Sequence, residues 1–204
     1  MKKISFFVFV LMIICLMSGC KGMKGYNTYE SVYKTYNEME SYSATVCVTA
    51  YSNNSENKYT LKQFYKAPDM QRSEYVSQAG GGSITVINGD KGKIFSDYSS
   101  SPVALEKVDI KEKDYLMLQT FFKIYYSSEE TAVTTSGNNS KGKITLVAQT
   151  GDSNPYKKTA ELIIDKESLK PIEMTITGFD GKPSLRIEYN EFELNPELDN
   201  KLFE

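Results

Sequence analysis

Residues 161–194 read ELIIDKESLKPIEMTITGFDGKPSLRIEYNEFEL, and their alternation sets the architecture. Leu162 and Ile164 alternate with polar neighbours, as do Ile172, Met174 and Ile176, then Leu185, Ile187 and Tyr189. A period of two turns every second side chain to one face, so each run predicts a strand with one buried face. Phe179-Asp180-Gly181-Lys182 separates the last two runs. A two-residue hairpin turn is expected there, with Gly181 supplying the positive φ. After Tyr189 the phase slips, because Phe192 and Leu194 are one step out. A bulge near Asn190 accounts for the slip. The stretch is therefore an antiparallel meander.

The same period recurs upstream. Ile144, Leu146 and Ala148 alternate, and so do Ala44, Val46, Val48 and Ala50. Asn53-Asn54-Ser55 is a turn, Tyr59 to Lys66 a returning strand ended by Pro68, and Met70 to Val76 a third strand. Ile84 to Ile87 and Lys93 to Phe95 flank the hairpin turn Asn88-Gly89-Asp90-Lys91-Gly92. Ala79 to Gly82 is glycine-rich but lacks the lysine and spacing of a phosphate loop, so it reads as a hinge or turn.

Two segments change to helical spacing. Asn27 to Tyr42 places Tyr29, Val32, Tyr33, Tyr36 and Met39 on one stripe, with Asn27 as cap. Lys111 to Tyr126 carries the stripe Leu118, Phe121, Phe122 and Tyr125, with Leu116, Met117 and Ile124 adding apolar surface elsewhere. That is more than one face needs, so this helix is buried on two sides, lines a cavity or meets a partner. The expected class is α+β: one large curved antiparallel sheet of about ten strands, with the helices on its concave face.

The first residues have another character. Lys2 and Lys3 precede an apolar run of 14 residues, Ile4 to Met17, closed by Ser18-Gly19-Cys20. A membrane span needs about 20 apolar residues, so the run reads as an export signal. Leu16-Met17-Ser18-Gly19-Cys20 resembles a lipobox, which implies cleavage before Cys20 and acylation of its thiol. The expected organisation is a leader over 1–19, a lipidated cysteine and spacer over 20–26, and one domain over 27–204. The chain is then extracytoplasmic, anchored to the outer face of the cell membrane. Loss of Lys2 and Lys3 takes the net charge from −2 to about −4, and nothing in that balance points to nucleic acid.

The chain contains no histidine. Ser-His-Asp and Cys-His catalysis lack their base, and the common zinc sites lack their ligand. With Cys15 in the leader and Cys20 acylated, Cys47 stands alone, so no intrachain disulfide forms. Only carboxylate chemistry of the glycosidase kind stays open, and no pair of acids stands out by spacing. The reading is a non-enzyme without cofactor or metal.

Several stretches together resemble the LolA/LolB-like lipoprotein carriers. These are the lipobox, the N-terminal helix, Lys66-Ala67-Pro68, the turn at Asn88-Gly89, Leu162-Ile163-Ile164-Asp165, Leu169-Lys170-Pro171, Asp180-Gly181-Lys182, Tyr189-Asn190-Glu191-Phe192 and the closing Leu202-Phe203. Ala67 stands where the carriers tend to have a basic residue. The resemblance implies an open half-barrel with a helical lid, in many members holding acyl chains. Within that group the chain looks like the clostridial germination lipoproteins of the GerS type. That likeness implies a non-catalytic protein supporting an N-acetylmuramoyl-L-alanine amidase, which forms muramic-δ-lactam in spore cortex and so permits cortex hydrolysis at germination. The alternative it carries is a carrier of lipid or lipoprotein acyl chains in an apolar hollow. The candidate partner contacts are Leu116, Phe121 and Ile124, or an unpaired sheet edge, which could equally pair with its own copy in a homodimer.

Overall fold

The computed structural model describes residues 28–52, 55–76, 81–105, 114–137 and 141–204. The leader, Cys20 with its spacer, the expected cap Asn27, the turn residues Asn53 and Asn54, and the expected helix start at 111–113 lie outside the described residues. The strands are β1 Ser41–Ser52, β2 Ser55–Lys66, β3 Met70–Val76, β4 Gly82–Asn88, β5 Lys91–Ser96, β6 Val103–Leu105, β7 Thr131–Ser136, β8 Lys143–Gln149, β9 Thr159–Asp165, β10 Pro171–Thr177 and β11 Pro183–Leu194. The helices are α1 Tyr29–Asn37 and α2 Leu118–Ser127, and a 3₁₀ turn, Asn200–Phe203, ends the chain.

All eleven strands join one antiparallel sheet in the order β6-β5-β4-β3-β2-β1-β11-β10-β9-β8-β7. Two sequential meanders are zipped together by the first strand pairing with the last. The sheet curls around the helices without closing, since β6 and β7 are its two edges. This is the open half-barrel expected from the sequence.

One face of the sheet carries the core. Val46, Leu61, Leu146, Leu162, Met174 and Ile187 share it, each at most 4% exposed. The expected bulge is present: Thr45 pairs with Glu191 and Val46 with Tyr189, which leaves Asn190 as the extra residue. A second bulge was not expected. Pro171 pairs with Ile164 and Glu173 with Ile163, so Ile172 drops out of the row and Pro171 takes the buried place. The β10–β11 connection also differs from a two-residue turn. Gly178 N–H donates to the Lys182 carbonyl at 2.9 Å around a three-residue loop, with Gly181 at φ +75°. A type I turn followed by a left-handed glycine makes that longer loop.

Both helices are shorter than expected. Tyr42 lies opposite Tyr65 of β2 and Leu194 of β11, so sheet pairing captures residues that helical spacing had claimed. The Asn195 side chain holds that entry, accepting from Glu40 N–H at 2.9 Å and Ser41 N–H at 3.1 Å. On α1 only Val32 and Tyr36 are buried, while Tyr29 and Tyr33 stay 39% and 44% exposed, so the expected stripe is divided. Tyr36 donates to the Leu169 carbonyl at 2.6 Å, tying α1 to the β9–β10 turn. β6 and β7 carried no sequence signal. β7 is exposed along all six residues, so nothing imposes alternation on it.

Candidate functional site

The concave face divides into a filled part and an open part. In the filled part α2 lies between the sheet and α1. Leu118, Phe121, Phe122, Ile124 and Tyr125 are buried, and Phe122 stacks on Tyr36 with ring centroids 4.2 Å apart. Tyr42 sits beneath, between Tyr65 and Phe192. Buried aromatic pairs of this kind contribute about 0.5–1.5 kcal/mol each beyond the area they bury.

A polar seam runs through this apolar packing. Gln63 lies in the inward phase of Leu61 and Tyr65, fully buried, and its Nε2 donates to the Leu116 carbonyl at 2.8 Å. Gln119 Nε2 donates to Gln71 Oε1 at 2.7 Å, and Tyr42 donates to Gln119 Oε1 at 2.9 Å. The seam fixes where α2 begins. The Tyr189 hydroxyl is also buried, without a hydrogen-bond partner among the described residues, and desolvation pushes its pKa well up.

The open part lies over β2, β3 and β4. A hollow of about 550 Å³ is lined by Tyr59, Leu61, Ser73, Tyr75, Asp114 and Leu116, among others. Tyr59 and Tyr75 meet edge to face at 5.5 Å. Asp114 stands at its rim, half-buried, accepting from Leu116 N–H at 3.0 Å. Loss of water around the carboxyl raises its pKa, against the Leu116 N–H and the charge of Lys157, which lower it. Desolvation raises Tyr59 as well, with the Asp114 charge adding to it. Tyr59, Leu61, Tyr75 and Leu116 give the hollow its apolar surface, and Asn57, Lys58, Ser73, Ser83, Thr85 and Asp114 make the rest of its lining polar. Among the described residues, no cluster of acids and thiols could hold a metal ion, and no helix is long and apolar enough to cross a membrane.

The candidate contact residues fall in different places. Phe121 and Ile124 are 1% and 4% exposed, so they are core and offer no surface to a partner; the extra apolar residues of α2 serve burial on two sides. Leu116 lies before the helix, half-buried on the hollow's wall. Cys20 is outside the described residues. Sequence reasoning missed the Tyr59–Tyr75–Asp114 wall and the glutamine seam. A signal existed for the seam, because Gln63 is polar at a position whose phase is otherwise apolar.

Comparison with known proteins places the chain. A chain in the complex of the CwlD amidase with the GerS lipoprotein from Clostridioides difficile is 27% identical, with TM-score 0.50, covering 84% of this chain and 98% of that one. An uncharacterised conserved protein from Thermus thermophilus shares the fold at 13% identity and TM-score 0.54, over 85% of this chain and 91% of that one. A LolA superfamily protein from Nitrosomonas europaea aligns at 12% identity and TM-score 0.46, over 87% and 97%. No curated protein sequence matches. The family description "Sporulation protein YdcC-like" matches residues 1–203, and the chain belongs to that family.

Proposed function

We propose that this chain is a lipoprotein, held by Cys20 on the outer face of the cell or forespore membrane, that supports a cell-wall amidase without catalysing anything itself. The observation that carries the reading is the likeness, over 84% of this chain and 98% of the other, to a chain from an amidase–lipoprotein complex, in a chain of a sporulation family. This chain corresponds to the lipoprotein side, because it begins with a lipobox-like leader and has no histidine for zinc hydrolysis. The amidase reaction is then the partner's, an N-acetylmuramoyl-L-alanine cleavage leading to muramic-δ-lactam in the cortex. With Phe121 and Ile124 buried, the β7 edge is the better docking element. Its six residues are exposed, and an unpaired edge accepts a partner strand or a second copy. The test is cortex composition. Spores lacking the chain are expected to make cortex without muramic-δ-lactam; an unchanged δ-lactam content contradicts the reading.

The hollow over β2–β4 favours a second reading, a carrier of acyl chains. Mass spectrometry of the protein extracted from its own membrane separates the two, since only the carrier brings fatty acyl chains with it.

A further inference from the structure

Tyr29 and Tyr33, one turn apart on α1, meet Tyr125 and Tyr126 on the last turn of α2. Tyr33 and Tyr126 lie edge to face at 5.2 Å, and Tyr29 reaches the Tyr125 ring at 6.3 Å. Tyr125 is buried, yet Tyr29, Tyr33 and Tyr126 remain 39%, 44% and 39% exposed. Three neighbouring tyrosines thus form a half-exposed aromatic patch where the chain enters the domain. A half-exposed tyrosine combines an apolar ring with a polar tip, the combination enriched at membrane–water boundaries.

Position along the chain indicates what covers the patch. Residues 21–28 alone separate Cys20 from Tyr29. Fully extended, they span at most about 30 Å, so an acylated Cys20 keeps the patch within that reach of the bilayer. Exposed Glu30, Glu129 and Glu130 flank the patch together with exposed Lys34 and Lys123, so its surround carries no excess of positive charge to attract anionic headgroups. The short tether supplies a high local concentration instead, which lets a patch too small to bind alone engage the surface.

We propose that Tyr29, Tyr33 and Tyr126 form a membrane-contact face that seats the domain on the lipid headgroup boundary and fixes its orientation. This rests on the reading of Cys20 as the anchor. The α1–α2 end then faces the bilayer, and α1 and α2 meet lipid only through this rim.

The chain has no tryptophan, so single Tyr→Trp substitutions give unambiguous reporters. Full-length lipidated protein carrying Tyr33→Trp or Tyr126→Trp is reconstituted in phosphatidylcholine vesicles, with and without brominated acyl chains. Tyr98→Trp, on the β5–β6 loop and 84% exposed in the parent, is the control. Each variant is first checked for an unchanged melting temperature. The expected result is a blue shift and loss of emission for Tyr33→Trp and Tyr126→Trp, insensitive to salt, with neither for Tyr98→Trp. Vesicle flotation with equal quenching at all three positions overturns the contact face while leaving the anchor standing. Failure to float overturns the anchor, and the contact face with it. A shift at Tyr33→Trp that appears only when purified wall amidase is added overturns the lipid assignment in favour of a protein contact.

Discussion

The hydroxyl of Tyr42 accepts a hydrogen bond from the backbone N–H of Leu118 at 3.0 Å, joining the first strand to the start of the second helix. Met117, at the helix N-cap position, makes no side-chain cap bond, so Tyr42 does from 76 residues away what a cap residue would do locally. Tyr42→Phe leaves that N–H and the Gln119 oxygen unsatisfied in a buried site. A loss of about 1–3 kcal/mol is expected in urea denaturation, with unchanged far-ultraviolet circular dichroism. An unchanged midpoint would mean that the seam contributes no stability.

Strand register is tested at the joint between the two meanders. Ile187 is fully buried opposite Val48 and Met174, and its neighbour Glu188 is exposed on the other face. Ile187→Asp places an unpaired charge in the core, and the domain is expected not to fold. Glu188→Ala should cost less than about 1 kcal/mol. Comparable losses of melting temperature would show that the register is wrong.

Asp114 gives a pH dependence of known sign. Desolvation raises its carboxyl pKa in the folded state, so folding favours the protonated form. The stability this contributes is fully present below about pH 4, the unfolded value, and is lost as pH rises through the raised folded value. Asp114→Asn keeps an acceptor for the Leu116 N–H and removes the titration. The variant is expected to match the parent in acid and to exceed it in stability at neutral pH. A variant less stable than the parent at neutral pH would show that the ionised carboxylate is stabilising there.

Anchoring has a direct chemical test. Cys20→Ala is expected to abolish incorporation of a palmitate analogue and to leave the protein unprocessed or soluble. Label persisting in the variant would place the acyl group elsewhere.

The sheet was legible wherever one face is buried, because burial forces a period of two. Ile144, Leu146 and Ala148, which alternate in the sequence, are the buried residues of β8, and the slip after Tyr189 located the Asn190 bulge. The rest was hidden for physical reasons. β7 is exposed along its length, so no burial pattern marks it. Tyr42 fits helical spacing as well as strand alternation, and only pairing with Tyr65 and Leu194, distant in sequence, decides between them. The hollow was illegible because its wall joins Tyr59, Tyr75 and Asp114 from separate segments. Phe121 and Ile124 read as candidate partner contacts because the α1 packing that covers this helix depends on the tertiary fold.

Support of a wall amidase is tested most directly by mixing the purified domain with the purified amidase of the same organism, following complex formation by size exclusion with light scattering and activity by muropeptide analysis. The expected result is a complex of defined mass that hydrolyses peptidoglycan, while the domain alone releases no product. A domain that binds no wall enzyme and leaves the cell loaded with fatty acyl chains would contradict that role and establish the carrier in its place.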